Sequence, residues 1–217
     1  TDIGELIDGT RLLKRLCVGL NIIPETLKIT VNVLTDQGVR KSNEVFLHSR
    51  YQPKQDWMKQ KEFYRVVGPF VSDEYIDDND IQGWRDFFVK FLSVREEASS
   101  EQIEEFAEKY VEYKLQERGY KILTRHGEGF DYEVKSDHDT IFIEVKGRTK
   151  TIDEIDDITL TEAQTKKAIE QREKYWVAVV TNIPNNPTLY VIKDPIGTGK
   201  ISIVINKDGI KAKGEIW

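Results

Sequence analysis

The 217-residue chain has little of several features that define whole classes of protein. Its single cysteine, Cys17, excludes an intrachain disulfide and favours a reducing, cytoplasmic setting. No apolar run approaches the length of a membrane span and no signal peptide is visible, so we expect no membrane partner. The chain begins at Thr1 and its only methionine is Met58, so we expect it to be a piece of a longer protein.

The chain also lacks an excess of positive charge. The 32 lysine and arginine residues are outnumbered by 38 aspartate and glutamate residues, which gives a net charge of −6. A molecule of this charge has no general attraction to nucleic acid, so any such binding would need a local basic patch. The length allows one large domain or two small ones, and 39% hydrophobic content predicts a globular core.

Residues 1–95 predict a small α+β domain with no catalytic constellation. Residues 11–16 fit a short amphipathic helix, and two strands at 28–34 and 39–47 fit a hairpin. The aromatic residues of 82–92 recur at helical spacing, a pattern that favours core packing over base stacking. His48 has no second histidine or cysteine at metal-ligand spacing, so we interpret it as a surface or turn residue.

After a linker over 95–100, residues 99–217 predict a second domain. Ser99-x-x-Gln102 and Thr161-x-x-Gln164 are capping boxes that begin two helices. Strands are predicted at 120–124, 131–134, 141–146, 176–180, 189–192, 201–205 and 210–217. The order is α-β-β-β-α-β-β, which indicates a mixed sheet flanked by helices and an overall α+β or α/β class.

Three polar residues on the second and third strands of this domain are the strongest functional signal. Glu144 and Lys146 project from one face of an apolar strand and Val145 from the other, and charged groups there are costly to bury. Asp131 lies on the preceding strand. Two carboxylates on neighbouring strands can hold a hard divalent cation, and Lys146 can position a water or stabilise developing charge. The alternative is a Glu144–Lys146 surface ion pair with Asp131 capping a turn.

Other candidates flank these three. Glu108 lies at the edge of the apolar face of its helix, so it either reaches inward to a metal site or is an ordinary exposed glutamate. Gln164 either orients Lys146, contacts a phosphate, or only completes the Thr161 cap. The nearby basic residues either form a phosphate-binding rim or are solvated surface charges: Arg125, Arg148, Lys150, Lys166, Lys167 and Arg172.

The spacing of Asp131, Glu144 and Lys146 resembles the PD-(D/E)XK nuclease motif. The segments Gly129-Phe-Asp131, Ile143-Glu-Val-Lys-Gly147 and Leu160-Thr-Glu-Ala-Gln164 resemble the NO VEIN C-terminal domain family more closely. In that family a helical Gly-Glu pair is usual, and this chain has Ala107-Glu108 instead. Residues 1–95 are similar to a segment found upstream of such domains in proteins with a sacsin-like, histidine-kinase-type ATPase region.

The resemblance implies a PD-(D/E)XK-type endonuclease that uses Mg²⁺ or Mn²⁺. Asp131, Glu144 and the Val145 carbonyl would bind the metal, Lys146 would position the attacking water, and Glu108 would assist. The substrate would be DNA, with RNA as the alternative, and the ATPase region of the same longer protein would be a partner in restriction or defence. A homodimer would suit double-strand cleavage. The competing interpretation is a catalytically silent nucleic-acid-binding or regulatory module.

Overall fold

The computed structural model describes residues 2–59, 68–77, 79–136, 139–155 and 157–198. Its helices are α1 (Ile3–Gly19), α2 (Ile81–Asp86), α3 (Ser100–Glu117), α4 (Glu162–Gln171) and α5 (Pro195–Thr198). Its strands are β1 (Asn32–Thr35), β2 (Gly38–Lys41), β3 (Lys121–Gly127), β4 (Phe130–Lys135), β5 (Thr140–Gly147), β6 (Tyr175–Thr181) and β7 (Thr188–Lys193). The strands predicted at 201–205 and 210–217 lie outside the described residues.

The chain divides into two compact units that are discontinuous in sequence. The first contains Thr1–Glu117, Val145–Ile158 and Val179–Tyr190, and the second contains Arg118–Glu144, Thr159–Ala178 and Val191–Trp217. The boundary between the units divides β5, β6 and β7. The division of the sequence into domains 1–95 and 99–217 stays a prediction.

Helix α1 is longer than the six residues predicted from its apolar spacing. It begins at Ile3 because the Asp2 carboxylate accepts a hydrogen bond from the Gly4 amide at 2.7 Å and caps the helix. Burial of Ile7, Thr10 and Cys17 holds one face against the first unit. Tertiary packing therefore stabilises the first half of α1, although this half contains glycines and a threonine, which have low helix propensity.

The hairpin predicted in the first unit is present but much shorter than expected. Strands β1 and β2 pair antiparallel over only Asn32–Thr35 and Gly38–Lys41. The prediction of strands over 28–34 and 39–47 was wrong in its outer parts, because 45–47 pair elsewhere. The Val45 carbonyl accepts from Arg95, and the Phe46 amide donates to the Pro69 carbonyl at 2.9 Å.

Aromatic side chains fill the core of the first unit. Trp84, Phe87, Phe88 and Phe91 are buried, which confirms that the aromatic residues of 82–92 form core packing. The α-helix covers only Ile81–Asp86 of this range and continues as a π-helical stretch over Phe87–Phe91. With Tyr51 and Tyr75, three pairs of these rings pack edge to face, and the rings of Trp84 and Phe88 stack.

The elements from α3 to β7 follow the predicted α-β-β-β-α-β-β order. Strands β3 to β7 form one five-stranded mixed sheet in sequential order, with β4 antiparallel to both β3 and β5. Both predicted capping boxes are confirmed: the Ser99 and Gln102 pair precedes α3, and the Thr161 and Gln164 pair begins α4. The fold class inferred from the pattern of elements is therefore correct.

The end of β5 packs closely on α3 within the first unit. A Cβ on Gly147 would lie 2.7 Å from the Ile103 carbonyl oxygen and 3.1 Å from the Ala107 Cβ. The Gly147 amide donates to the Glu104 Oε2 at 2.7 Å. A residue without a side chain is thus required where this strand, which carries Glu144 and Lys146, ends against the helix.

Candidate metal centre

A tight hairpin joins β3 to β4 and sets the position of the first predicted carboxylate. Gly127 pairs with Phe130 and Arg125 with Tyr132, so His126 lies opposite Asp131. Opposed residues of an antiparallel pair have Cβ atoms about 5 Å apart. The turn itself needs Gly129, whose φ is +78° and whose Cβ would lie 2.6 Å from the Ala163 carbonyl oxygen of α4.

The second predicted carboxylate, Glu144, is buried on β5, with only 3% of its surface exposed. The β4–β5 register pairs Tyr132 with Ile143, so Asp131 and Glu144 are the next residues beyond that pair. The Gln164 Nε2 donates a hydrogen bond to the Glu144 Oε1 at 2.5 Å. This buried carboxylate is therefore held by a specific polar contact from α4.

Gln164 completes the predicted cap of α4 and also makes a contact to Glu144 that the sequence did not predict. Its side-chain oxygen accepts from the Thr161 amide at 2.8 Å and completes the cap of α4. Its side-chain nitrogen makes the contact to Glu144. The start of the helix and the position of the carboxylate thus depend on one amide group.

Tyr175, at the start of β6, is a further polar residue near the carboxylates. Its side chain is fully buried, and its hydroxyl donates to the Gly129 carbonyl at 2.9 Å. Burial, followed by the negative charges of Glu144 and Asp131, raises the pKa of Tyr175 well above its usual value. The hydroxyl is therefore neutral and fixes the hairpin turn that precedes Asp131.

Three residues bring potential metal ligands together. Glu108 of α3, His126 of β3 and Asp131 of β4 each offer one ligand atom, and these atoms lie within 4.8 Å of one another. Glu108 and Asp131 are half-buried and His126 is exposed. His126 adopts a φ of +53°, a backbone conformation that non-glycine residues visit rarely and that is often associated with functional sites. The group could hold a metal ion.

This arrangement includes two of the predicted site residues, Glu108 and Asp131. Comparison with known families gives one match: residues 103–192 match the family model described as Protein NO VEIN, C-terminal. This part of the chain is therefore similar to the NO VEIN C-terminal family. No curated protein and no solved structure gives a significant match.

In this NO VEIN-like region, the remaining predicted catalytic positions lie on β5. Val145 is buried and Lys146 is half-buried. Among the residues that the structure describes, Glu144 is not a member of the three-residue metal-ligand group. The assignments of Glu144 and Val145 as ligands and of Lys146 as the water-positioning residue stay predictions.

Several of the predicted phosphate contacts of the domain already have protein partners. The Arg148 Nη1 lies 3.2 Å from the Glu104 Oε1, and the Arg172 Nη2 lies 3.2 Å from the Asp194 Oδ2. The Lys167 Nζ lies 4.3 Å from the centroid of the Phe142 ring, a cation–π contact. The other three predicted residues are exposed at the surface: Arg125, Lys150 and Lys166.

Sequence reasoning missed His126 and Tyr175. His126 could have been found from the two-residue turn at 128–129, which places residue 126 opposite residue 131. Tyr175 gave no such signal, because a tyrosine at the start of an apolar strand usually indicates packing.

Among the described residues, no helix is both long and apolar enough to cross a bilayer.

Proposed function

We propose that this NO VEIN-like region is a metal-dependent endonuclease that hydrolyses phosphodiester bonds, with DNA as the substrate. One observation carries the proposal: Glu108, His126 and Asp131 offer ligand atoms within 4.8 Å of one another, beside the strand that bears the buried Glu144. A carboxylate kept in a buried position costs stability unless it is paired, and such groups concentrate at functional sites.

Each residue then has a role in the reaction. Glu108, His126 and Asp131 would hold a divalent cation, and Glu144 and the Val145 carbonyl would be further ligands. A cation held there would supply Lewis-acid charge to the phosphate and lower the pKa of a water. Lys146 orients that water and stabilises charge that develops on the phosphate oxygens.

Two further residues position the carboxylates. Gln164 fixes the rotamer of Glu144 through its 2.5 Å hydrogen bond. Tyr175 anchors the Gly129 carbonyl and thereby the hairpin that presents Asp131. Both contacts are made to other protein groups, so they act on the geometry of the site rather than on the substrate.

The histidine bears on the choice of metal. Mg²⁺ prefers oxygen ligands and near-ideal octahedral geometry, whereas Mn²⁺ accepts an imidazole nitrogen together with carboxylates. We therefore expect both ions to support cleavage, with Mn²⁺ binding more tightly.

The test is cleavage of plasmid DNA, single-stranded DNA and single-stranded RNA in Mg²⁺, Mn²⁺ or EDTA. Asp131→Ala and Lys146→Ala are each expected to lower the cleavage rate at least about a hundredfold, the scale of losing one preorganised electrostatic contact. Glu105→Gln serves as the matched control for Glu108→Gln, because Glu105 lies on the same helix, is half-exposed and pairs with Lys109. Cleavage that persists in both alanine variants would exclude the proposed site.

A second candidate is a catalytically silent nucleic-acid-binding or regulatory module for an ATPase region of the same longer protein. The net charge of −6 and the ion pairs of Arg148 and Arg172 favour its regulatory form, because they reduce the positive charge available to a nucleic acid. This candidate predicts salt-sensitive binding that EDTA leaves unchanged, with no product from any substrate.

A further inference from the structure

Helix α1 presents an exposed face whose residues recur at heptad-like spacing. Glu5, Asp8, Leu12, Arg15 and Gly19 are separated by alternating steps of three and four residues, and all are exposed. The opposite face, with Ile7, Thr10 and Cys17, is buried in the first unit. Residues at this spacing form a single stripe along a helix, the geometry that packs against a second helix.

Further exposed apolar and small residues lie beside this stripe. Leu12 and Leu16 are 57% and 48% exposed, and Leu20 continues the same side at 69%. Gly9 and Gly19 flank the leucines, and a Cβ at either glycine would meet nothing within 4 Å. Leucines that project between glycines allow another helix backbone to approach closely.

Charge along the same face is segregated and self-complementary. The first half of α1 carries Glu5 and Asp8, and the second half carries Arg15. If a second copy of α1 lies antiparallel about a two-fold axis at Leu12, Asp8 of each copy faces Arg15 of the other, and Glu5 faces Gly19. A parallel copy would instead place like charges together, which is unfavourable.

We propose that the chain forms a symmetric homodimer through the exposed face of α1, with Leu12 at the two-fold axis. The contact is isologous, so each Asp8–Arg15 pair occurs twice. Asp8 also lies 3.6 Å from Arg11 of its own helix, but its side chain is 79% exposed and remains accessible to the second copy.

The test is sedimentation velocity of the chain across a range of concentrations at low and moderate salt. The wild type is expected to show a concentration-dependent dimer, and Leu12→Asp to be monomeric over the same range. Leu123→Asp, at a leucine that is 45% exposed on β3, is the matched control and should dimerise as the wild type does. Far-UV circular dichroism and urea midpoints establish that each variant is folded.

Exchange of the charges at Asp8 and Arg15 tests the antiparallel arrangement of the two helices. Asp8→Arg and Arg15→Asp should each weaken dimerisation about tenfold, because each converts two attractions into two repulsions. The double variant carrying both changes restores the pairs in reversed order and should recover dimerisation. A wild type that stays monomeric at every concentration, or a double variant as weak as the single ones, would overturn the proposal. Loss of the dimer in Leu123→Asp would also overturn it, by moving the contact to β3.

Discussion

Replacing Gly129 with alanine should destabilise the fold more than the same change at other glycines. Two physical effects coincide at this position. Its φ of +78° is unfavourable for a residue with a side chain, and the new methyl group would lie 2.6 Å from the Ala163 carbonyl oxygen and 3.0 Å from the Lys167 Cβ. Both neighbours belong to α4, whose backbone cannot yield without disturbing its packing.

The two effects can be measured separately, because the chain offers a glycine for each. Gly119 has a φ of +80° and open space around it, so Gly119→Ala should cost only the backbone term, roughly 1–2 kcal/mol. Gly147 has no positive φ, but its Cβ would lie 2.7 Å from the Ile103 carbonyl oxygen, so Gly147→Ala should cost an overpacking term of roughly 1–3 kcal/mol. For Gly129→Ala the terms add to roughly 2–5 kcal/mol.

Urea unfolding followed by far-UV circular dichroism gives the free energy of unfolding for all three variants and the wild type. Gly129→Ala is expected to lower the free energy of unfolding most, and Gly119→Ala and Gly147→Ala are expected to lower it less. If Gly129→Ala is no more destabilising than Gly119→Ala, the close approach of the hairpin to α4 does not exist. Since Asp131 follows this turn, that result would also remove the geometric basis of the candidate site.

Three further predictions concern the neighbourhood of the carboxylates. Burial and nearby negative charge raise the pKa of Tyr175 in the folded state, so its contribution to stability is complete below the unfolded pKa of about 10 and is lost as pH rises above it. Tyr175→Phe should therefore reduce the slope of unfolding free energy against pH above 10 by up to about 1.4 kcal/mol per pH unit, and an unchanged slope would contradict the burial of the hydroxyl. Thr161→Ala should cost about 1 kcal/mol through the lost cap of α4, measured by urea unfolding. Without urea the first turn of α4 still forms in most molecules and cleavage should persist; abolished cleavage without urea would mean that the threonine has a direct role. In thermal melts, Mn²⁺ at a hundred times its dissociation constant for the wild type should raise the free energy of unfolding of the wild type by about 2.7 kcal/mol. An equal increase in His126→Ala at the same Mn²⁺ concentration would exclude that histidine as a ligand.

The order of elements from α3 to β7 was predictable because its signals are local. Capping boxes at Ser99 and Thr161 depend on residues three positions apart, and the apolar runs that form β5 and β6 are continuous. These signals do not depend on distant parts of the chain. The placement of Asp131 and Glu144 on neighbouring strands was predictable for the same reason.

The errors occurred where distant segments decide the outcome. Residues 45–47 alternate like a hairpin partner, but their hydrogen bonds go to Pro69, Val71 and Arg95, which no local pattern could indicate. Helix α1 likewise gains its first turns from burial of Ile7 and from the Asp2 cap. Two of the three members of the metal-ligand group were predicted site residues, and His126 was missed because its position depends on hairpin register rather than on a motif.

The shared amide of Gln164 links a local opening of the protein to its chemistry. When the first turn of α4 frays, the same side chain that leaves Thr161 also leaves Glu144, so the carboxylate loses its fixed orientation without any global unfolding. Cleavage should therefore decline at urea concentrations below the main transition, in step with faster amide hydrogen exchange at the Gln164 N–H. The stability of one helical turn would then set the working temperature of the site, below the melting temperature of the fold.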